Sequence, residues 1–215
     1  MSRHFKPSEP RKPKAAKVTN RVRIIGGRWR SRVIEFANAD AEGLRPTANR
    51  VRETLFNWLG QTLEGKRCLD LFSGSGALGF EAASRGATEV VMLEVHRDAI
   101  AALKRSQQKL AATSCRVIGI DALEFLEDRR EKFDIVFVDP PFASDLMLAV
   151  LKKLPGTLGP GGVVYAEWGL PIAEVLGNLP GQPWEIAKQG KAGAVHFALL
   201  RVPRVSVQSR SKNKQ

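Results

Sequence analysis

The sequence predicts an α/β fold: a doubly wound, mainly parallel sheet with an antiparallel end, built by one domain of a 215-residue chain. Three observations lead there. From Arg67 onward, short apolar runs alternate with helical patterns, as expected for strands joined by crossover helices. The first run, ending in Leu69-Asp70-Leu71-Phe72, passes through a glycine-rich turn, Ser73-Gly74-Ser75-Gly76, directly into a helical pattern. The fourth run, Phe133-Asp134-Ile135-Val136-Phe137-Val138, reads as a strand buried on both faces and stops at Asp139-Pro140-Pro141-Phe142. Two prolines lack the N–H that a ladder needs. The strand therefore presents an acid, two rigid carbonyls and an aromatic ring at its carboxyl end, the edge where open α/β sheets bind ligands.

Taken in order, residues 1–20 are rich in Pro, Lys and Arg with few large apolar groups, and are expected to be a disordered basic tail. Residues 21–44 form a basic segment, with Arg21 to Ile25 and Arg28 to Phe36 as two strands around a Gly26-Gly27 turn. Arg21, Arg23, Arg28, Arg30 and Arg32 surround Trp29, a mixture suited to phosphates and a stacked base. The plainer alternative is a capping hairpin whose arginines face water. The domain proper is read as residues 45–202. It opens with a helix from Ala48 to Gln61, capped by Thr47, with Val51, Leu55, Trp58 and Leu59 on one core-facing side. Arg45, Arg50 and Arg52 lie at or near the start of that helix, where positive charge opposes the helix dipole and hints at a nearby anion.

Strands are expected at Arg67–Phe72, Glu89–Glu94, Cys115–Ile120, Phe133–Asp139 and Gly162–Trp168. Between them, Ala77–Arg85, Asp98–Ala111, Ala122–Arg130 and Ser144–Leu154 read as helices, and Pro171–Leu176 as a short one. Trp184–Lys191 and Ala194–Val202 form a closing hairpin around Ala192-Gly193, giving seven strands. Residues 203–215 are a second basic tail, expected to be mobile.

The net charge of +12 is unevenly placed: residues 1–20 carry +5, residues 21–36 carry +4 and residues 203–215 carry +4, which leaves −1 for the middle. Basic ends on a near-neutral domain suggest a polyanionic partner, most simply nucleic acid. No apolar run approaches the roughly 20 residues of a bilayer span, and the basic N-terminus is not followed by an apolar signal segment. A membrane partner or secretion is therefore not expected. Cys68 and Cys115 are isolated beside apolar runs and read as reduced, buried thiols of a cytoplasmic protein; the three histidines show no metal-ligand spacing.

Gly74, Gly76 and Gly79 match the dinucleotide spacing, and Glu94 ends the next strand. Asp70, however, stands four residues before Gly74, where its carboxylate would oppose a pyrophosphate, and no second nucleotide-binding half follows. S-adenosylmethionine fits better. Its amino-acid end suits Asp70 and the backbone around Phe72, Gly74 and Gly76, and Glu94 has two oxygens for the ribose hydroxyls. Asp121 and the Ala122 N–H suit the adenine, although Asp121 equally suits a helix cap. The acid of Asp139 and the carbonyl of Pro140 are acceptors for both N–H bonds of an aromatic amine, which frees its lone pair, and Phe142 offers a stacking plane. By itself, Asp139-Pro140-Pro141 is equally a strand-ending turn.

Leu69 to Gly76 together with Asp139 to Phe142 resembles the class I methyltransferases that act on amino nitrogens. Ile24-Ile25-Gly26-Gly27-Arg28-Trp29-Arg30, Leu44-Arg45-Pro46-Thr47 and Arg50-Val51-Arg52-Glu53-Thr54-Leu55-Phe56 narrow the resemblance to the bacterial RsmD family, over about residues 21–202. The resemblance implies a Rossmann-like, seven-stranded S-adenosyl-L-methionine-dependent methyltransferase with an N-terminal β-hairpin extension. It also implies methyl transfer to N2 of a guanine, position 966 of 16S rRNA, in the small ribosomal subunit or an assembly intermediate. Carried over, Asp139, Pro140 and Phe142 orient the amine; Asp70, Phe72, Gly74, Gly76, Glu94, Asp121 and Ala122 hold the cofactor. Arg23, Arg28, Trp29, Arg30, Arg45, Thr47, Arg50 and Arg52 contact RNA. No metal takes part, and a monomer is expected. His96 departs from the acid the family often has two residues beyond Glu94. Rival readings are an amino-methyltransferase of another rRNA or DNA base, a noncatalytic RNA-binding assembly factor, and a nucleotide-dependent oxidoreductase. A DNA enzyme would need a target-recognition domain for which little chain remains.

Overall fold

The computed structural model describes residues 19–37, 49–128, 130–141 and 146–203. Strands β1 (Thr19–Arg23) and β2 (Val33–Ala37) pair antiparallel as a separate two-stranded sheet. Helix α1 (Asn49–Leu59) leads into β3 (Arg67–Asp70), α2 (Ala77–Ser84), β4 (Glu89–Glu94), α3 (Arg97–Leu110) and β5 (Cys115–Gly119). Then come α4 (Ala122–Phe125), β6 (Phe133–Val138), α5 (Leu146–Lys153), β7 (Leu158–Trp168), α6 (Ile172–Gly177), β8 (Glu185–Ala192) and β9 (Val195–Arg201). The large sheet has the order β5-β4-β3-β6-β7-β9-β8, parallel from β5 to β7 and antiparallel at β9 and β8. The chain winds outward from β3 to β5 and returns to place β6 on the other side of β3. The switch point, and the crevice it opens, therefore lies between β3 and β6.

Side-chain alternation sorts the sheet into two packed faces. Cys68, Val90, Met92, Ile135, Phe137 and Tyr165 lie on the face covered by α1, α2, α3 and the hairpin. Leu69, Val91, Leu93, Val136, Val138 and Val164 lie on the other, under α4, α5 and α6. Both sets are buried, which is why these strands read as continuous apolar runs rather than alternating ones. Gly79 brings α2 onto β4; a Cβ there would stand 2.8 Å from the Met92 side chain. Cys68 and Cys115 are free thiols, as expected, and burial pushes each up to about 12. Among the described residues no helix is long and apolar enough to cross a membrane.

The hairpin is not the two-residue turn the glycines suggest. Ile24 N–H donates to Arg32 O and Ser31 N–H to Ile24 O, each at 2.9 Å, closing a longer loop that contains a 3₁₀ turn, Gly27–Trp29. The loop takes this shape because it is pressed onto α2. The Glu81 carboxylate, inside that helix and 0% exposed, accepts from Ile25 N at 2.7 Å and Gly26 N at 2.8 Å. It also receives Arg85 Nε at 2.9 Å and lies 3.6 Å from Arg52 Nη1. Arg52 Nη2 in turn donates to Arg23 O at 2.9 Å, joining α1 to β1. Trp29 N donates to Ser84 Oγ, and Ser84 Oγ to Gly26 O. Gly27, at φ +71°, comes so close that a Cβ would lie 1.9 Å from Ser84 O.

Two RNA-contact expectations fall here. Arg52 is fully buried, because its charge answers Glu81 rather than an external anion, and Trp29 is buried against the domain instead of offering a stacking face. Two boundaries also move. Strand β1 begins at Thr19, inside the segment read as tail. Helix α4 stops at Phe125 rather than Arg130, where Asp128 Oδ1 takes Arg130 N and Nε in a local turn that competes with the helix. The N-cap at Thr47, the start of the helix read as Ser144–Leu154 and both tails up to residue 18 and from residue 204 lie outside the described residues.

Replacing Glu81 with Ala should destabilise the fold by about 3–5 kcal/mol, since two guanidinium groups and two backbone N–H groups lose their shared acceptor in a dry site. Urea denaturation measures the loss, and faster proteolysis within residues 19–37 should accompany it. A cost like that of an exposed substitution would rule out this anchoring role.

Candidate active site at the carboxyl edge of the sheet

Four of the five parallel strands, β3 to β6, place an expected site residue at or just past the carboxyl end. Asp70 closes β3 and shares its face with Cys68; Glu94 closes β4 and shares its face with Val90 and Met92. Register pairs Asp70 with Phe137, and Asp139 follows Phe137 by two. Asp139 thus continues the face of Asp70 and Glu94 across the switch point. The Asp139 charge also contributes to raising the pKa of Tyr165, a residue of that same face. Asp139 is half-buried, Pro140 buried and Pro141 exposed; Phe142 lies outside the described residues. Asp121 and Ala122 stand just beyond the end of β5, on the same edge.

The glycine turn is held by these acids. Asp70, 3% exposed, accepts from Gly79 N at 3.1 Å. Burial raises its pKa from 3.8 to about 7, against the pull of the Gly79 and Phe72 N–H groups. Gly74 and Gly76 take φ +47° and +79°, and a Cβ on Gly76 would strike Leu103 at 2.6 Å. Glycine is required there. Glu94 Oε2 accepts from Gly74 N at 2.9 Å, while Oε1 accepts from Val95 N at 2.8 Å and His96 N at 2.9 Å. A carboxylate has about four acceptor directions, so Glu94 as placed has room for about one further donor rather than two ribose hydroxyls. Asp70 likewise shapes the turn more than it faces outward.

Asp121 caps α4: its Oδ1 accepts from Leu123 N at 2.8 Å and Glu124 N at 3.2 Å. Asp121 is an exposed residue whose two capping bonds both fall on Oδ1, and Ala122, the first helical residue, carries an N–H with no intrahelical acceptor. Phe72 is half-buried at the mouth of the turn. Of the expected RNA contacts, Arg23, Arg28, Arg30 and Arg50 are exposed, with the Arg28 guanidinium 4.1 Å over the Trp29 ring. Arg45 and Thr47 lie outside the described residues. Sequence reading missed Glu81 and Glu167, both buried acids. The signals were a lone acid in the small, apolar helix Ala77-Leu78-Gly79-Phe80-Glu81-Ala82-Ala83 and an acid at even spacing from Tyr165.

A seven-stranded sheet of this order, with a glycine turn after its first parallel strand, is the class I methyltransferase fold. The solved structure named "Putative methyltransferase yhhF" from Escherichia coli superposes with a TM-score of 0.73 at 35% identity, covering 84% of this chain and 97% of that one. Residues 22–201 match the family model described as Conserved hypothetical protein 95, and the chain belongs to that family, the RsmD family. Ribosomal RNA small subunit methyltransferase D of Escherichia coli K12 is 40% identical over 187 residues, 85% of this chain and 91% of its own length. The protein of the same name from Haemophilus influenzae is 38% identical over 186 residues, 84% and 93% of the two chains.

Because burial raises the Asp70 pKa, the native state holds a proton that the unfolded chain gives up near pH 4. This contribution to stability is complete below about pH 4 and is lost as pH rises toward about 7. The rise from 3.8 to about 7 corresponds to about 4 kcal/mol. Urea unfolding at a series of pH values should show the decline in the wild type and its absence in Asp70→Asn, which should be the more stable protein at pH 8.

Proposed function

We propose that this protein transfers a methyl group from S-adenosyl-L-methionine to the exocyclic amine N2 of a guanine in small-subunit ribosomal RNA, the guanine numbered 966 in the 16S molecule. It acts as a monomer in the cytoplasm, on the small subunit or its assembly intermediate. The observation that carries this reading is the alignment of Asp139 with Asp70 and Glu94 on one face of one sheet edge, across the switch point. Family membership and relatives named for small-subunit rRNA methylation support the substrate class.

The edge fits the cofactor by its donor and acceptor chemistry. The left-handed Gly74 and Gly76 keep side chains out of the turn, and Glu94, Asp121 and the Ala122 N–H retain hydrogen-bonding capacity beside it. Bound there, S-adenosyl-L-methionine supplies an electrophilic methyl group on a sulfonium. The chain's own residues prepare the nucleophile. Guanine N2 is flat and unreactive because its lone pair is delocalised into the ring. The Asp139 carboxylate and the Pro140 carbonyl accept its two N–H bonds and favour a pyramidal nitrogen. The carboxylate also offsets the positive charge that develops on that nitrogen as the C–N bond forms and the C–S bond breaks to leave a neutral thioether; the surplus N2 proton then passes to Asp139 or to water. Alignment of the two reactants supplies most of the acceleration. Exposed Arg23, Arg28, Arg30 and Arg50 hold backbone phosphates.

Asp139→Ala should lower methyl incorporation into small-subunit particles by about 10³-fold, while calorimetry shows S-adenosyl-L-methionine affinity nearly unchanged. Near-normal turnover would remove Asp139 from the chemistry. Mass mapping of the product should give N2-methylguanosine; another methylated nucleoside would overturn the guanine assignment. Arg28→Ala and Arg30→Ala should each weaken particle binding and flatten its salt dependence by about one phosphate contact.

A further inference from the structure

Three carboxylates on this face of the edge, Asp70, Glu94 and Asp139, have been given roles, and the same face carries a fourth. Register pairs Phe137 with Tyr165 and Val138 with Ala166 across β6 and β7. The ladder ends there, and Asp139 is the first residue past β6; continuing the same register by one step sets it beside Glu167 of β7, the neighbouring strand about 4.8 Å away. Glu167 shares its face with Tyr165, two residues before it, and that face is the one that bears Asp70, Glu94 and Asp139. Side by side across the sheet, the four acids belong to β4, β3, the end of β6, and β7.

Glu167 is only 5% exposed, and its position is fixed from below. Tyr165, completely buried, donates its hydroxyl to Glu167 Oε2 at 2.8 Å. Burial, Glu167 and Asp139 together hold the Tyr165 pKa well above its ordinary value, so the hydroxyl stays a donor. Two carboxylates on adjacent strand ends repel each other. Such a pair is matched by a ligand that carries two adjacent donors.

Among the amino-bearing bases only one has that pattern. Guanine places a ring N1–H beside its exocyclic amine. Adenine places a lone-pair nitrogen beside N6, and cytosine places one beside N4; either would face a carboxylate with like polarity. We propose that Glu167 is the residue that selects guanine: its carboxylate, positioned by Tyr165, accepts the N1–H of the base whose N2 is held by Asp139. This rests on the guanine N2 reading above and adds the reason for the choice of base. A carboxylate accepts several hydrogen bonds, so the Tyr165 contact and the N1–H contact are compatible.

The test uses reconstituted small-subunit particles carrying either guanine or 2-aminopurine at the target nucleotide. 2-Aminopurine keeps the amine on C2 but has a lone pair in place of N1–H. Wild-type enzyme should prefer guanine by about 100-fold or more in kcat/KM, because the analogue leaves a buried carboxylate facing a lone pair. In Glu167→Gln the amide can both donate and accept, so the preference should fall at least about tenfold, with turnover of 2-aminopurine rising in absolute terms. Tyr165→Phe, which releases the carboxylate, should lower the preference in the same direction. Affinity for S-adenosyl-L-methionine should be retained in both variants. Equal losses on both bases, with the ratio unmoved, would mark Glu167 as structural and overturn the proposal. So would a wild-type enzyme that does not discriminate between the two. Absence of any transfer to guanine by wild type is a different result: it would overturn the guanine reading itself, and this inference with it.

Discussion

A single carboxylate inside helix α2 holds the molecule's two functional halves together. Glu81 gathers two backbone N–H groups from the N-terminal loop and two guanidinium groups, Arg85 from its own helix and Arg52 from α1. None of these groups would be tolerated singly at that depth. Because the acceptors and donors answer one another, a charged cluster sits where only apolar contacts would otherwise survive. The same helix begins at the glycine turn, so the basic hairpin and the turn read as the cofactor site are attached to opposite ends of one short rigid element.

The active edge follows from an equally simple constraint. Strands bury both faces, so the sheet can tolerate an acid only where it ends. Alternation then decides which face that acid occupies. Asp70, Glu94, Asp139 and Glu167 all meet this condition on the face covered by α1, α2 and α3. Their internal hydrogen bonds differ. Asp70 and Glu94 are committed largely to backbone N–H groups of the turn, which makes them architects of the pocket as well as candidates to line it. Glu167 is tied instead to a tyrosine hydroxyl.

Much of this was legible in the sequence because it is local. The five parallel strands, the glycine turn and the strand-ending prolines are written in runs of a few residues, and all appear within a few positions of where they were expected. Asp121 carried two readings, and its capping of α4 is the one visible in the hydrogen bonds. What could not be read was partnership across long separations. Arg52 at the start of a helix looks like a surface cation until Glu81, well downstream, is found beside it. Trp29 among arginines looks like a stacking platform until Ser84 and its helix are brought against the loop. Spacing reveals periodicity, whereas a buried ion pair between distant elements leaves no periodic trace.

The contact of Gly27 with Ser84 has a mechanical consequence. Backbone there rests against backbone, with no side chain between them to yield. The arginine-bearing arm cannot swing relative to the domain without breaking that seat and the Glu81 bonds beside it. The arm and the edge therefore work like the two jaws of a caliper locked at one opening. Under the proposed function, a nucleotide would come within reach only at that fixed distance from phosphates held by the arm, so the shape of a folded RNA, before any base is read, would already restrict which position enters the site.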